Sequence, residues 1–168
     1  MTDVIAEIAE AGSDAPRDHR PAVREAAQAA YDALFAVPAT DPVPGVERAL
    51  RHLIAARAAW VEGDRAAADW YLAGAAGIAD AVELVTGGPD GPHGVRAPRA
   101  LRAALRHADL LITRPASSTA DDLGALTSAG WSPAEIVVIG QIVGFVSYQI
   151  RVAHALRVQD EVFGEASA

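Results

Sequence analysis

Cysteine is absent from all 168 residues. That excludes disulfides, thiolate nucleophiles, CxxC redox pairs and cysteine-ligated metals. Lysine is absent too: all 14 basic residues are arginine, so no amine is available for a Schiff base. No asparagine occurs, which removes any N-glycosylation acceptor. The opening stretch MTDVIAEIAEAG is acidic and lacks the basic start of a signal peptide. No uninterrupted apolar run reaches the roughly 18–20 residues of a membrane-spanning helix. Positive charge is scarce overall. A net charge of −8 argues against nucleic acid and against an anionic membrane surface as partners. The expectation is a soluble, cytoplasmic protein. The histidines, His19, His52, His93, His107 and His154, show no HxxxH or HExxH spacing. TGGPDGPHG lacks the lysine of a phosphate loop. Neither a metal nor a cofactor is expected.

What is plentiful is alanine, within an apolar content of 51%. Alanine is the strongest helix former, and no useful β alternation is present, so the fold class expected is all-α. The length suits a single domain over 1–168 with a real core. A short helix can open the chain, followed by a turn-rich linker, SDAPRDHRP. Residues 21–35 follow a helical period. VPATDPVPG breaks the chain with proline, with Asp41-Pro42 as a cap or a turn. An amphipathic helix is expected over about 46–61, stopped by Gly63, and a second over 64–85. TGGPDGPHGVRAP is the longest loop and reads as mobile or as a boundary. Further helices are expected over about 98–113 and in SSTADDLGALTSAG, giving about six to seven in all. Ser132, Pro133 and Glu135 form a capping signature. It opens a helix that is apolar almost all round from Ile136 to Ile150 and is therefore expected at the centre of a bundle. The acidic tail, 159–168, is expected to fray.

The stretch AGWSPAEIVVIGQIVGFVSYQIRVAHALRV resembles the carboxymuconolactone decarboxylase family, which includes the alkyl hydroperoxidase D proteins. Gly130, Ser132, Glu135 and Ile136 match the start of its helix, and Arg151 and Leu156 match the end. The likeness runs over about 43–158, and the preceding helix–Gly–helix unit adds to it. The N-terminal helices within 1–35 are less alike. The resemblance implies an alkyl hydroperoxidase D-like helical bundle and homo-oligomers, trimers or hexamers. In redox members a CxxC opens the second helix of the pair, where unpaired N–H groups stabilise a thiolate. Laid onto WVEGDRAAADWY, the cysteine positions fall on Asp64 and Ala67, the histidine position on Tyr71, and the glutamate position near His52. All four residues differ from the redox set, so thiol peroxidase activity is not expected.

The remaining candidates carry two readings each. Asp64 is a catalytic base or an N-cap. His52, off the main apolar stripe, is a proton shuttle or a surface or interface histidine. Arg57 falls inside the stripe of Leu50, Leu53, Ile54, Trp60 and Val61, so its guanidinium must reach out or be paired. It clamps a small acidic substrate or forms a structural ion pair. Gly140, Gly144, Ser147, Arg151 and His154 share one side of the last helix, flanked by Gln141 and Tyr148. These polar groups need partners on a neighbouring helix or in a pocket. Two function classes follow. One is a non-thiol lyase or decarboxylase acting on a small acidic molecule, with Arg57, Gln141, Tyr148 and Arg151 binding it. The other is a non-catalytic structural or binding subunit that pairs with itself or a catalytic homologue.

Overall fold

A computed structural model describes residues 3–10, 20–36, 43 and 45–164. Among them are eight α-helices and no strand: α1 Val4–Ala9, α2 Pro21–Phe35, α3 Arg48–Glu62, α4 Arg65–Ala73, α5 Ala81–Gly87, α6 Arg99–Thr113, α7 Ala120–Ser128 and α8 Pro133–Gly164. Asp41, Pro42 and most of the SDAPRDHRP linker lie outside the described residues.

Helix ends follow local chemistry. The Asp3 carboxylate caps α1 by accepting from the Ile5 and Ala6 N–H groups. Thr119 and Asp122 form a reciprocal capping box at α7. At α8 the Glu135 carboxylate accepts from Ser132 N–H at 2.7 Å and from its hydroxyl at 2.8 Å. Gly63 closes α3 at φ +91°, in the left-handed region that glycine adopts without a steric penalty.

The expected helix over 64–85 is two helices. The chain turns between α4 and α5 through Gly77 at φ +98° and Asp80 at φ +56°. Left-handed residues cannot continue a right-handed helix, so the alanine-rich pattern is overridden there. This extra break brings the helix total to eight. In the glycine-rich loop after α5, Gly88, Pro89 and Gly94 are buried, and Gly94 packs against the Gly88 carbonyl.

Helix α3 is the enclosed one. Helices α2, α4, α5, α6 and α8 all pack on it. Ala55, Ala56, Ala58 and Ala59 are fully buried around its circumference, and small side chains permit such close approach from several sides. His52 is buried with them, not at the surface as the helical wheel implied. Gly74, just past α4, makes room for it: a Cβ there would run into the imidazole.

Helix α8 continues through Asp160 and Glu161 to Gly164, past the point where fraying was expected. Within Pro133–Val162 an 18-residue window has a mean hydropathy of 1.6, so the helix is long and apolar enough to cross a membrane by length and composition. The absence of an unbroken apolar run did not anticipate this. Here α8 packs against α1, α3 and α6, burying Ile139, Ile142, Val146, Gln149 and Ala153. Its opposite side, including Val137, Gln141, Gly144 and Tyr148, is open.

Candidate functional site

The α3–α4 junction turns on two residues. The Asp64 N–H donates back to the Ala59 carbonyl at 3.1 Å, sealing the end of α3. The Asp64 carboxylate then caps α4, with Ala67 N–H donating to it at 3.0 Å. Arg65, the first residue of α4, lays its guanidinium 3.2 Å from the centre of the Trp60 ring, a cation–π contact across the turn.

Helix α8 supplies the partners. Arg157 donates to Asp64 Oδ2 at 2.6 Å, and its other terminal nitrogen donates to the Ile8 carbonyl at 2.7 Å. One guanidinium thus ties α8 to the start of α4 and the end of α1. Asp64 is nearly buried, and its oxygens are taken up by the cap and the ion pair. Beside it, Ser147 donates to Glu62, while Arg151 donates to the Ser147 hydroxyl at 2.7 Å and stands 3.7 Å from Glu62. An open groove of about 570 Å³ runs past Glu62, Asp64, Ile150, His154 and Arg157.

One helical turn and more into α4, Tyr71 is fully buried. Its hydroxyl donates to Gln149 Oε1 on α8, and the Gln149 amide nitrogen has no partner among the described residues. Phe35 packs between the two rings of interest, 5.3 Å from Tyr71 and 4.9 Å from His52 by ring centre. Tyr31 and Trp70 extend the cluster, Trp70 edge-on to Tyr71 at 5.0 Å. Burial pushes the Tyr71 phenol well above its ordinary value, so it stays protonated. Burial also lowers His52, whose Nδ1 donates to the Arg48 carbonyl at 2.9 Å. The bond to a carbonyl places the ring proton on Nδ1.

The structure therefore brings Asp64, Tyr71 and His52 into one region and fills it. The other candidates lie elsewhere. Arg57 makes two bonds to Asp109 on α6, at 2.7 and 2.8 Å, and a third to the Val85 carbonyl at 2.7 Å. This is the structural ion pair. Each of its three nitrogens is engaged within the chain. Gln141 and Tyr148 are exposed on α8, and the Arg151 side chain is 73% exposed. None of these three converges with Arg57 on a common cavity among those that line the described residues. Glu62, Gln149, Phe35 and Arg157 complete the junction and were not singled out from the sequence. Arg157 lies inside the quoted motif and could have been found as a cation one residue past Leu156. Nothing local marks Phe35 or Gln149.

No protein-family model matches the chain, and no curated protein matches it. Among solved structures it is similar to an alkylhydroperoxidase AhpD core, an uncharacterized peroxidase-related protein from Ralstonia eutropha JMP134. The TM-score is 0.61 at 22% identity, covering 83% of this chain and 71% of that one. The fold is thus the all-α alkylhydroperoxidase D-like one, on a chain without cysteine.

Proposed function

We propose that this alkylhydroperoxidase-like chain is a non-catalytic, self-assembling subunit that keeps the helical frame and lacks the thiol reaction. The observation that carries this reading is Tyr71, fully buried and bonded to Gln149 in the position the resemblance gives to a catalytic histidine. A phenol packed among Phe35, Trp70 and His52 has no path to a substrate and no proton to exchange near neutral pH. Asp64 retains a negative group at a helix N-terminus, and it serves as a cap and an ion-pair partner.

The open side of α8 supports self-assembly. Val137, Gln141, Gly144, Tyr148, Arg151 and Ala155 are all exposed, spaced by alternating steps of four and three residues. That 3.5-residue period is how one helix packs along another. The series is symmetric about residue 146. A second α8 running antiparallel across a two-fold axis there sets Tyr148 over Gly144, Gln141 beside Arg151 and Val137 beside Ala155. A Cβ on Gly140 or Gly144 would meet nothing within 4 Å among the described residues, which leaves the space above them to a second copy. Such a contact builds a dimer or, with a three-fold, the hexamer that the resemblance implies.

A second reading has one observation in its favour. The groove past Glu62, Asp64, His154 and Arg157 holds acid, base and cation together, as a lyase acting on a small acidic substrate would need. Against it, both carboxylates are already bonded within the chain.

The test is direct. Purified protein given alkyl hydroperoxide and a dithiol reductant is expected to show no turnover above the protein-free rate. Turnover that scales with protein overturns the proposal, and Asp64→Asn, if it abolishes such turnover, assigns it to the groove.

A further inference from the structure

A second cavity lies between α6, α7 and the loop after α5, and it shares no lining residue with the α3–α4 junction. Its volume is about 520 Å³, within the roughly 300–1,000 Å³ range of small-ligand sites. The chain is acidic overall, yet this cavity is cationic. Arg99, Arg102 and Arg106 recur at i, i+3 and i+7 on α6 and all line it, joined by Arg114 just past the helix end. Four of the chain's 14 arginines thus stand around one opening.

Three aspartates also line the cavity, and each is already engaged. Asp109 is held by both arms of the Arg57 guanidinium. Asp90 pairs with Arg106. Asp122 accepts from the Thr119 N–H at 2.8 Å and from its hydroxyl at 2.7 Å, completing the α7 capping box. Counting Arg57, five arginines face three carboxylates. Arg99 has no ion-pair partner among the described residues, Arg114 makes no direct ion pair there and acts on Asp122 only through its nearby charge, and the one bond from Arg102, to the Val95 carbonyl, is long at 3.4 Å. Between the cations the wall is apolar, formed by Ala103, Leu110, Ala125 and Leu126. His107 lines it too. It is nearly buried, its Nδ1 has no hydrogen-bond partner among the described residues, and burial lowers its pKa and keeps the ring neutral. A solvated arginine face on a lone helix needs none of this: no enclosing second helix, no apolar wall between the charges, no carboxylates drawn aside.

We propose that the α6–α7 cavity binds a small organic anion, its carboxylate or phosphate head held by Arg99, Arg102 and Arg114 and its apolar body against Ala103, Leu110 and Leu126. Planar guanidinium forks match either oxyanion, and the alanine and leucine wall selects an organic body over a bare inorganic ion. The site is independent of the assembly surface on α8, so its failure leaves the reading of the junction untouched.

Calorimetric titration of the full chain at low salt tests this with four probes: phenyl phosphate, benzoate, inorganic phosphate and neutral benzamide. Saturable binding of phenyl phosphate or benzoate is expected, whichever head group is preferred. Inorganic phosphate should bind at least about tenfold more weakly and benzamide not detectably. Arg102→Gln with Arg114→Gln should weaken the organic anion at least about tenfold while the melting temperature stays put. Arg99→Gln, at the exposed start of α6, gives a second, milder reading should the double variant fold poorly. Arg65→Gln, outside the cavity, should leave binding unchanged. Absence of binding by both organic anions, equal binding of benzamide or of inorganic phosphate, or affinity indifferent to the α6–α7 arginines, overturns the proposal.

Discussion

Tyr71 and Gln149 show at the scale of single residues how α4 and α8 are held together at this junction. A buried hydroxyl must find a partner, and the amide on α8 is the one in reach. Tyr71→Phe leaves Gln149 buried with neither amide atom satisfied among the described residues, which should cost about 1–3 kcal/mol of unfolding free energy. Adding Gln149→Leu removes the stranded amide and should restore much of that loss. Urea unfolding of the two single variants and the double variant checks it, and additive losses would contradict the coupling. His52 makes a second residue-scale prediction. Burial lowers its folded-state pKa, as it does for His107. Both rings are neutral in either state above about pH 6.5, so the native state loses nothing there. As the pH falls below that value the unfolded chain binds protons that the folded chain refuses, and stability declines. Unfolding free energy should therefore drop between pH 7 and pH 5, and His52→Gln should flatten part of that slope. An unchanged slope in the variant would place the titration elsewhere.

At the level of helices, α8 is both pillar and clasp. One side buries Ile139, Ile142, Val146 and Ala153, and that burial holds it against α3 and α6. Near its far end Arg157 reaches Asp64 and Ile8, fastening a six-residue helix, α1, that is too short to persist by itself. Arg157→Met keeps the stem and removes both bonds. The Asp64 carboxylate then stays nearly buried without its cation, at a cost on the order of 2–3 kcal/mol after allowing for the partial exposure of the arginine. Loss of protection should concentrate in α1 and in the first turn of α4. Amide hydrogen exchange reads this helix by helix, and a loss spread evenly over all eight would argue against a local clasp. The capping box at α8 was readable in advance because its partners lie three residues apart. The α4–α5 break was not, although Gly74 and Gly77 were in view, because alanine-rich flanks outweighed them.

The whole molecule is a bundle around α3 with one side of α8 uncovered. If two copies close that side about residue 146, Tyr148 sits at its middle, opposite Gly144. Tyr148→Glu then places two like charges close to the two-fold axis of the seam and should shift the protein to a smaller species by light scattering at micromolar concentration. The melting temperature of the chain itself should change little, since Tyr148 is 38% exposed. An assembly size indifferent to this substitution moves the contact off α8.

Composition and spacing alone settled that this chain is helical and that thiol chemistry is closed to it. Both follow from local facts, alanine content and the lack of sulfur, which no packing can reverse. The helix ends at Gly63 and Ser132 belong to the same class. Tertiary structure decided the rest. It buried His52, which a helical wheel placed outside, because α3 is packed on several sides and not on one stripe. It gave Arg57 to Asp109, fifty-two residues away, and Tyr71 to Gln149, seventy-eight away. It gathered the arginines of α6 around a cavity. Such pairings depend on which helices become neighbours, and a linear pattern carries the period of a helix without naming what stands opposite it.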